Sequence, residues 1–298
     1  MPKLNVLILA AGLGTRLRPL TNDIPKPLVP VVDASILEQQ MRKALAIGDV
    51  TLHANAHYLA NQMIAEGCRL GFEKIWEEPE ILGTAGPLSR IYREGFRGGL
   101  LVMNGDAYCQ FDLVRFIENA KASGADFALL GVDFPKVNTF RVGPDGRLAG
   151  VYGRFGSEQG EPATFSGVSW YSDIALSRME AKEFDIREFW KKEIAAGRAP
   201  FVDLSQKNAL WIDMGSPEGL KAACDARRKE LGIDSWCAGS PAVEAKPCCG
   251  MVRSVVQNGV DLPFDANLED AVLFEGAEVF PGESVRNEIR GRGFCWKL

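Results

Sequence analysis

The sequence has few histidines, no excess of basic charge and no long apolar run, and each shortage excludes a class of protein. The chain has 298 residues with two histidines, and its seven cysteines show no zinc-ligand spacing, so we expect no structural zinc site. Its formal net charge of -5 at pH 7 lacks the basic footprint of a nucleic-acid-binding protein. No apolar run approaches the roughly 20 residues of a membrane-spanning helix. Residues 4–11 lack the cleavage pattern of a signal peptide, so we expect a cytoplasmic protein with reduced thiols and no nucleic-acid or membrane partner.

Short apolar runs alternate with helical patterns through much of the chain. Strands are predicted at residues 4–9, 50–52, 100–103 and 127–132, and helices at residues 36–47, 59–66 and 113–123. This alternation is typical of an α/β fold with a mainly parallel sheet.

Two later helices have ends that the sequence marks. Asp185 and Glu188 form a capping-box pattern at the start of the first helix. Ser216 followed by Pro217 predicts the start of the second helix, and Gly232 predicts its end.

Near the end of the chain, three hexads follow one another. They begin at Leu273, Val279 and Val285, and Gly276 and Gly282 hold the same place in the first two. This period is typical of a parallel β-helix, although a chance match in an irregular tail is the alternative. Three hexads make about one coil and cannot bury their own apolar row, so the tail is expected to pack on the main domain or on another subunit.

These patterns divide the chain into three parts. We predict a catalytic domain over residues 1–235, a linker over residues 236–260 that is rich in proline, glycine, alanine and cysteine, and a tail over residues 261–298.

A glycine-rich segment, residues 9–21, directly follows the first strand. Its small residues let a ligand approach the backbone closely, its N–H groups can form an anion nest, and Arg16 and Arg18 add positive charge. A dinucleotide-binding fingerprint would need glycine at Leu17, and a Walker loop would need Gly-Lys-Ser/Thr, which is absent. A tight turn with surface arginines is the alternative interpretation.

Lys26 lies between two prolines, Pro25 and Pro27. Prolines fix the backbone and limit where the ammonium can go, which is useful for a catalytic lysine. Considered alone, this lysine could also be an ordinary surface residue.

Two aspartates follow strand-like segments. Asp106 ends the run Asn104-Gly105-Asp106 after an apolar strand, where α/β proteins bind their ligands. Magnesium prefers one or two carboxylates together with phosphate oxygens and water. Asp213, considered alone, could instead cap a turn.

Together, residues 12–21 (Gly-Leu-Gly-Thr-Arg-Leu-Arg-Pro-Leu-Thr) and residues 25–28 (Pro-Lys-Pro-Leu) resemble the signature of the sugar-1-phosphate nucleotidylyltransferases, or NDP-sugar pyrophosphorylases. The Leu-Gly-Thr-Ala-Gly run at residues 82–86 and the segment at residues 211–218 are also similar to this family. The resemblance covers roughly residues 1–231 and implies an α/β, glycosyltransferase-A-like fold: a Rossmann-like mixed sheet flanked by helices. The tail, a looser match, is expected to be a short C-terminal β segment forming a partial left-handed β-helix.

The resemblance also implies roles for single residues. Arg16, Lys26 and Asp106 would be catalytic, with Arg16 holding the departing pyrophosphate and Lys26 the α-phosphate side, and Asp106 and Asp213 would bind Mg2+. Asn104 and Gly167 would contact the sugar. The nucleotide-binding set would be Leu9, Ala10, Ala11, Gly12, Gly14, Thr15, Arg16, Lys26, Glu78, Gly83 and Thr84.

One family segment, the Glu-Lys-Pro that grips sugar and phosphate, is missing. The corresponding region is residues 152–162, where Arg154 is a candidate to replace the lysine charge.

The implied activity is transfer of a nucleoside monophosphate from a nucleoside triphosphate to a sugar 1-phosphate, with release of pyrophosphate. Residues 77–88 look most like mannose-1-phosphate guanylyltransferases, which is our first expectation. Residues 55–59 and 164–168 look more like bacterial N-acetylmuramate-1-phosphate uridylyltransferases. A glycosyltransferase of the same fold, a non-catalytic subunit that binds nucleotide sugar, and homo-oligomer formation through the tail are the further alternatives.

Overall fold

The computed structural model describes residues 3–180, 184–239 and 250–298. Its α-helices are α1 (Ile36–Leu45), α2 (Ala60–Leu70), α3 (Gly86–Arg93), α4 (Leu113–Ala122), α5 (Asp173–Ser177), α6 (Ile186–Ala195) and α7 (Pro217–Leu231). Short 3-10 helices cover Thr15–Leu17, Leu20–Asn22 and Lys26–Leu28. Within these ranges no helix has the length and apolar character to cross a bilayer.

The strands are numbered in chain order. They are β1 (Leu4–Leu9), β2 (Pro30–Val31), β3 (Ala34–Ser35), β4 (Val50–Ala56), β5 (Lys74–Glu77), β6 (Leu100–Asn104), β7 (Ala107–Cys109), β8 (Phe127–Val132), β9 (Phe140–Val142), β10 (Leu148–Val151), β11 (Phe155–Gly156), β12 (Glu161–Tyr171), β13 (Phe201–Asp203), β14 (Trp211–Asp213), β15 (Trp236–Cys237), β16 (Gly250–Val252), β17 (Val255–Val256), β18 (Asn267–Glu269), β19 (Val272–Leu273), β20 (Ser284–Arg286), β21 (Glu288–Gly291) and β22 (Phe294–Lys297).

The chain divides into two compact units. The first unit comprises Met1–Gly12, Gln40–Gly105 and Cys109–Trp211, and the second comprises Leu13–Gln39, Asp106–Tyr108 and Ile212–Leu298.

The first unit is built on a mixed sheet. Its strands run in the order β11-β10-β9-β12-β6-β1-β4-β5, with β8 pairing β12 and β13. The run β6-β1-β4-β5 is parallel, whereas β12 is antiparallel to both β6 and β8. The predicted mixed sheet is therefore confirmed, and the expectation of a mainly parallel sheet holds only for this run.

Helices of the first unit pack on this sheet because their apolar faces and the strands share one core. Helix α2 contacts β4 and β5, and α4 contacts β8 and β13. Every residue of β8 is buried, as expected of a strand covered on both faces. Phe127, Tyr171, Phe189 and Trp190 are among the fully buried aromatics of this core.

Helix α7 of the second unit begins and ends where the sequence predicts. The Ser216 side chain accepts a hydrogen bond from the Gly219 N–H, Pro217 occupies the first helical position, and Gly232 adopts a left-handed φ of 68°. Asp185 likewise caps α6 in the first unit, accepting from the Arg187 N–H.

The C-terminal coil, residues 250–298, stacks short parallel strands. Gly250 pairs with Asn267, and Asn267 with Ser284, so neighbouring turns of the coil are 17 residues apart. A second face stacks β15, β17, β19 and β21 in parallel, and β22 closes it as an antiparallel strand. The predicted C-terminal β tail is confirmed.

The expectation that the hexad row cannot be buried within the tail is wrong. Leu273, Val279 and Val285 belong to an apolar cluster made of coil residues, together with Leu268 and Val256. The coil contains more turns than the three hexads indicate, because a turn already begins at residue 250. The additional turns cover the row from inside the tail.

A different row of the coil packs on the rest of the second unit. Val255, Val272, Phe274 and Ile289 share one core with residues of α7 and with Val29, Val31 and Val32. The expectation that the tail packs on the main domain is confirmed by this core. The domain boundaries stay a prediction: β15, β16 and β17 fall inside the predicted linker, of which residues 240–249 lie outside the described residues.

Candidate active site

In the first unit, a buried carboxylate orders the backbone beyond β1. The Ala10 N–H donates to Asn55 Oδ1 at 2.7 Å, and Asn55 Nδ2 donates to Glu78 Oε1 at 2.9 Å. The other oxygen of Glu78 accepts from the Leu82 N–H at 2.9 Å. Both Asn55 and Glu78 are buried. Glu78, predicted to contact nucleotide, therefore uses one carboxylate oxygen to hold Asn55 of β4 and the other to hold the loop at Leu82.

The glycine turn at residues 82–86 is tied to the segment before α6. Gly83 has a φ of 69°, and a Cβ added there would lie 2.2 Å from the Phe184 carbonyl oxygen, so only glycine fits. That same carbonyl accepts from the N–H groups of Thr84 and Ala85, at 2.9 and 3.1 Å. The Thr84 hydroxyl accepts from the Ile186 N–H at 3.0 Å. Two N–H groups that could read a base edge are thus engaged within the protein.

A cavity of about 350 Å³ lies in the first unit. Four residues of the predicted site line it: Leu9, Thr84, Asn104 and Gly167. Gly167 has a φ of 85°, and an added Cβ would lie 2.7 Å from Asn104 Cγ. The structure thus brings together the two residues predicted to bind the sugar.

Three charged side chains also line this cavity. Arg187 forms a two-point ion pair with Asp185, with distances of 2.9 Å from Nε to Oδ1 and 2.6 Å from Nη2 to Oδ2. Hydrogen bonding from Arg187 holds the pKa of the Asp185 carboxyl below its usual value. Within the described ranges, no ion pair involves Arg154. Two arginines and one aspartate therefore give the cavity lining a net positive charge, and the charge of Arg154 also helps to lower the pKa of Asp185.

Lys26, in the second unit, is buried and paired. Its side chain is 8% exposed, and its Nζ lies 2.9 Å from Asp106 Oδ2. It begins the 3-10 helix Lys26–Leu28, flanked by Pro25 and Pro27. Gly14, with a φ of 63°, packs beside it, because an added Cβ would lie 3.2 Å from Lys26 Cβ. The Thr21 hydroxyl donates to the Gly14 carbonyl and fixes this turn.

Arg16 and Asp213 approach each other in the same unit. The distance from Arg16 Nη1 to Asp213 Oδ2 is 3.4 Å, and the two side chains are 64% and 44% exposed. Gly215 permits the approach, since a Cβ there would lie 2.0 Å from Arg16 Nη2. The Gly215 N–H donates to Asp213 Oδ1 and orients the carboxylate.

The two predicted metal ligands come from adjoining backbone. The Met214 N–H donates to the Asp106 carbonyl at 3.2 Å, which places Asp106 beside the Asp213–Met214 peptide. Both carboxylates are about half exposed, at 43% and 44%. Among the described residues, no group of three or more acidic, histidine or cysteine side chains is poised to hold a metal. A pair of accessible carboxylates fits magnesium, which takes its remaining ligands from phosphate and water.

The remaining predicted residues lie along the glycine-rich segment. Ala11 is buried, whereas Gly12 and Thr15 are exposed. Apart from Gly12 and its two chain neighbours, no described residue has an atom within 4 Å of a Cβ built at Gly12, so the backbone there is open to a ligand.

Asn55, Asp185, Arg187 and Trp190 were not predicted as site residues. Asn55 had a signal, since it lies near the carboxyl end of a strand parallel to β1, at the sheet edge where ligands bind. Asp185 and Arg187 had no such signal, because both carry the pattern of a helix start.

Comparison with known proteins finds similarity to nucleotidyltransferases. Residues 5–140 match the family model described as nucleotidyl transferase. The mannose-1-phosphate guanylyltransferase catalytic subunit beta of Drosophila pseudoobscura pseudoobscura is 30% identical over 230 residues, covering 71% of this chain and 59% of that protein. Mannose-1-phosphate guanylyltransferase 1 of Arabidopsis thaliana is 26% identical over 254 residues, covering 76% and 66%. The chain thus spans less than two thirds of the length of either relative.

A solved structure shares the fold. HddC from Yersinia pseudotuberculosis, complexed with GMP-PN, matches with a TM-score of 0.58 and 26% identity, covering 75% of this chain and 99% of that chain. The predicted glycosyltransferase-A-like fold class is confirmed.

Proposed function

Because residues 5–140 match the nucleotidyl transferase family model and the chain is 30% identical to a mannose-1-phosphate guanylyltransferase subunit, we propose that it is a sugar-1-phosphate nucleotidylyltransferase, which transfers a nucleoside monophosphate from a nucleoside triphosphate to a sugar 1-phosphate. A sugar-phosphate oxygen attacks the α-phosphorus, the bond from that phosphorus to the bridging oxygen breaks, and pyrophosphate leaves. The nucleophile is already an anion, so the reaction needs alignment and charge stabilisation more than a base. The observation that carries the proposal is the buried Lys26 ammonium, held on a proline-flanked turn 2.9 Å from Asp106.

The positively charged side chains are assigned to the phosphate groups of the substrates. Lys26 stabilises the α-phosphate in the transition state, and exposed Arg16 holds the departing pyrophosphate. The open backbone at Gly12 lies against the nucleotide phosphates, with Gly14 shaping the turn beside Lys26. Asn104 and Gly167 contact the sugar, and Arg154 supplies the charge that the missing Glu-Lys-Pro segment would carry.

Magnesium is the proposed cofactor. Asp106 and Asp213 would hold it, and the bound ion would neutralise phosphate charge. The ion pairs of these carboxylates with Lys26 and Arg16 orient both aspartates for this role.

Asp106→Asn and Asp213→Asn are each expected to raise the magnesium concentration for half-maximal rate by at least about tenfold, and to lower the maximal rate. Loss of supporting contacts alone costs a metal site about 10–100-fold in affinity, and a lost ligand should cost no less. Magnesium titration of the initial rate measures the effect. Asp145→Asn, a change in a surface turn of the first unit, is the matched control. Unchanged magnesium dependence in both variants would remove the two aspartates from the metal site.

For the substrates, we propose GTP and mannose 1-phosphate. The support comes from relatives that are named mannose-1-phosphate guanylyltransferases and from a similar structure complexed with GMP-PN. A base is chosen by a few hydrogen bonds from a loop, so the choice depends on loop shape more than on residue identity.

Pyrophosphate release with GTP, UTP, dTTP and CTP against mannose 1-phosphate should be fastest with GTP. The same panel against N-acetylmuramate 1-phosphate tests the uridylyltransferase alternative. If GTP is the poorest donor, the guanylyl assignment is wrong and the reaction class stands. Absence of pyrophosphate release with every pair would contradict the reaction class, and would favour a glycosyltransferase or a non-catalytic binding subunit.

A further inference from the structure

A strained turn follows the segment that carries Lys26. Strands β2 and β3 pair Val31 with Ala34, which leaves Val32 and Asp33 as a two-residue hairpin turn. Val32 has a φ of 67°, while Asp33 is not among the described residues with positive φ. This sign pattern is that of a type II′ turn, whose first central position favours glycine. A β-branched residue is a conformational outlier there, so the surrounding contacts must impose this backbone.

The contacts on Val32 come from two distant parts of the second unit. Its side chain is 1% exposed. It shares an apolar core with Cys224 of α7. Its carbonyl accepts a 3.1 Å hydrogen bond from Nε2 of Gln257, a buried side chain of the C-terminal coil. The Val32 carbonyl is therefore held by a tertiary hydrogen bond, and the residue is packed in a tertiary core.

Neighbouring residues of the turn are held as well. The Asp33 carboxylate receives two hydrogen bonds from Arg227 of α7, at 2.7 and 2.8 Å. Gln39 Nε2 donates to the carbonyls of Val31 and Ala34, both at 3.0 Å. Gln257 of the coil donates a hydrogen bond to this turn, in addition to the apolar packing of coil residues on Val31 and Val32, so it is one point at which the tail can act on the hairpin.

The hairpin is rigidly linked to Lys26. The Val29 N–H donates to the Lys26 carbonyl at 3.1 Å, and the Ile36 N–H donates to the Val29 carbonyl at 3.4 Å. Pro27 and Pro30 restrict the backbone between them. Val29 and Val31 also pack in the core that contains coil residues. A shift of the hairpin is therefore transmitted to the Lys26 backbone.

We propose that Gln257 is a positioning residue for Lys26, and that the C-terminal coil thereby sets the rate of the transfer step. Gln257 holds the Val32 carbonyl in the strained turn, and the strained turn holds the proline-flanked segment in register with Asp106. The inference rests on the proposed function, because it requires Lys26 to act in the transfer.

The test is a double-mutant cycle between Gln257→Met and Val32→Gly. Methionine keeps the volume of glutamine and removes the donor. Glycine at residue 32 adopts a positive φ without steric cost, so the turn no longer depends on Gln257. We expect Gln257→Met to lower kcat about tenfold with little change in KM for the triphosphate, since misplacing a catalytic group by ~1 Å can cost up to about a hundredfold. In the Val32→Gly background the same change should cost less than about threefold.

Asn267→Ala, an exposed change in the same coil, is the matched control. Lys26→Ala gives the loss of kcat that follows when the lysine ammonium is removed altogether. Hydrogen exchange supplies a readout independent of activity: residues 26–36 should lose protection in Gln257→Met while α7 keeps it.

Equal kcat losses in both backgrounds, or equal loss of protection throughout the second unit, would show a merely structural role and overturn the inference. A normal kcat in Gln257→Met beside an inactive Lys26→Ala would also overturn it. Full activity of Lys26→Ala would instead contradict the proposed role of Lys26.

Discussion

Lys26→Ala is expected to lower turnover by at least about a hundredfold, on the order of 3 kcal/mol of transition-state stabilisation. The effect should be large because the ammonium is buried, where charge interactions are strong, and because its proline-flanked turn leaves it few other positions. The loss should be mainly in kcat, since a charge aimed at the α-phosphate gains most when charge spreads in the transition state. Steady-state kinetics with saturating triphosphate and sugar phosphate measures it.

A second lysine–carboxylate pair supplies the matched control for this experiment. Lys207 lies 2.7 Å from Glu161, and both side chains are about half exposed. Because such surface pairs contribute about 0–1 kcal/mol, Lys207→Ala should keep near-normal turnover. Thermal melting shows whether each variant is folded. Turnover of Lys26→Ala within about threefold of the unchanged protein, with an unchanged melting temperature, would remove Lys26 from the mechanism.

Local chemistry explains why much of the fold could be predicted from the sequence. Strand β8 occupies the predicted residues 127–132, and Ser216 and Gly232 bound α7 as predicted. Each of these features depends on residues within one element: an apolar run, a capping hydroxyl, a glycine with left-handed φ. The second helix was predicted too short, because α2 continues to Leu70 and ends at Gly71, beyond the periodic apolar positions.

Features that depend on tertiary contacts could not be predicted in this way. Asp185 was predicted as a helix cap and is one, yet it also pairs with Arg187 at the cavity. That second role depends on how α6 packs on β12, where Trp190 meets Phe165 edge to face. The left-handed Val32 is a stronger case, since valine by itself favours extended backbone.

The tail shows where a repeat pattern is informative and where it misleads. Hexads starting at Leu273, Val279 and Val285 correctly indicated a coil of parallel strands. The preceding turn repeats this spacing, with Val256, Leu262 and Leu268 six residues apart and Gly259 in the place of Gly276, so the three hexads are only half of the pattern. The count of three hexads therefore underestimated the number of turns in the coil. It also assigned the wrong row of apolar side chains to the contact with the rest of the second unit.

Deleting the tail after Cys249 is expected to give a protein that aggregates or melts at a lower temperature. The deletion removes Val255, Val272, Phe274 and Ile289, whose partners include Val29, Val31 and residues of α7. Fully burying one such side chain is worth about 1.5–3 kcal/mol. The burial free energy of the four side chains together is comparable to the free energy of unfolding of a whole domain, roughly 5–15 kcal/mol. The exposed apolar face left behind would also promote association.

Two phenylalanines of the coil separate the loss of this packing from a general effect of altering the tail. Phe274 is 4% exposed and lies in the shared core, whereas Phe264 is 79% exposed. Phe274→Ala should cost about 3–5 kcal/mol of unfolding free energy, and Phe264→Ala little. Thermal melting, light scattering and size-exclusion chromatography compare these variants with the truncated protein. The docked coil stabilises the second unit only if the truncated protein and Phe274→Ala lose stability together; a truncated protein that stays soluble, equally stable and in the same oligomeric state would contradict this.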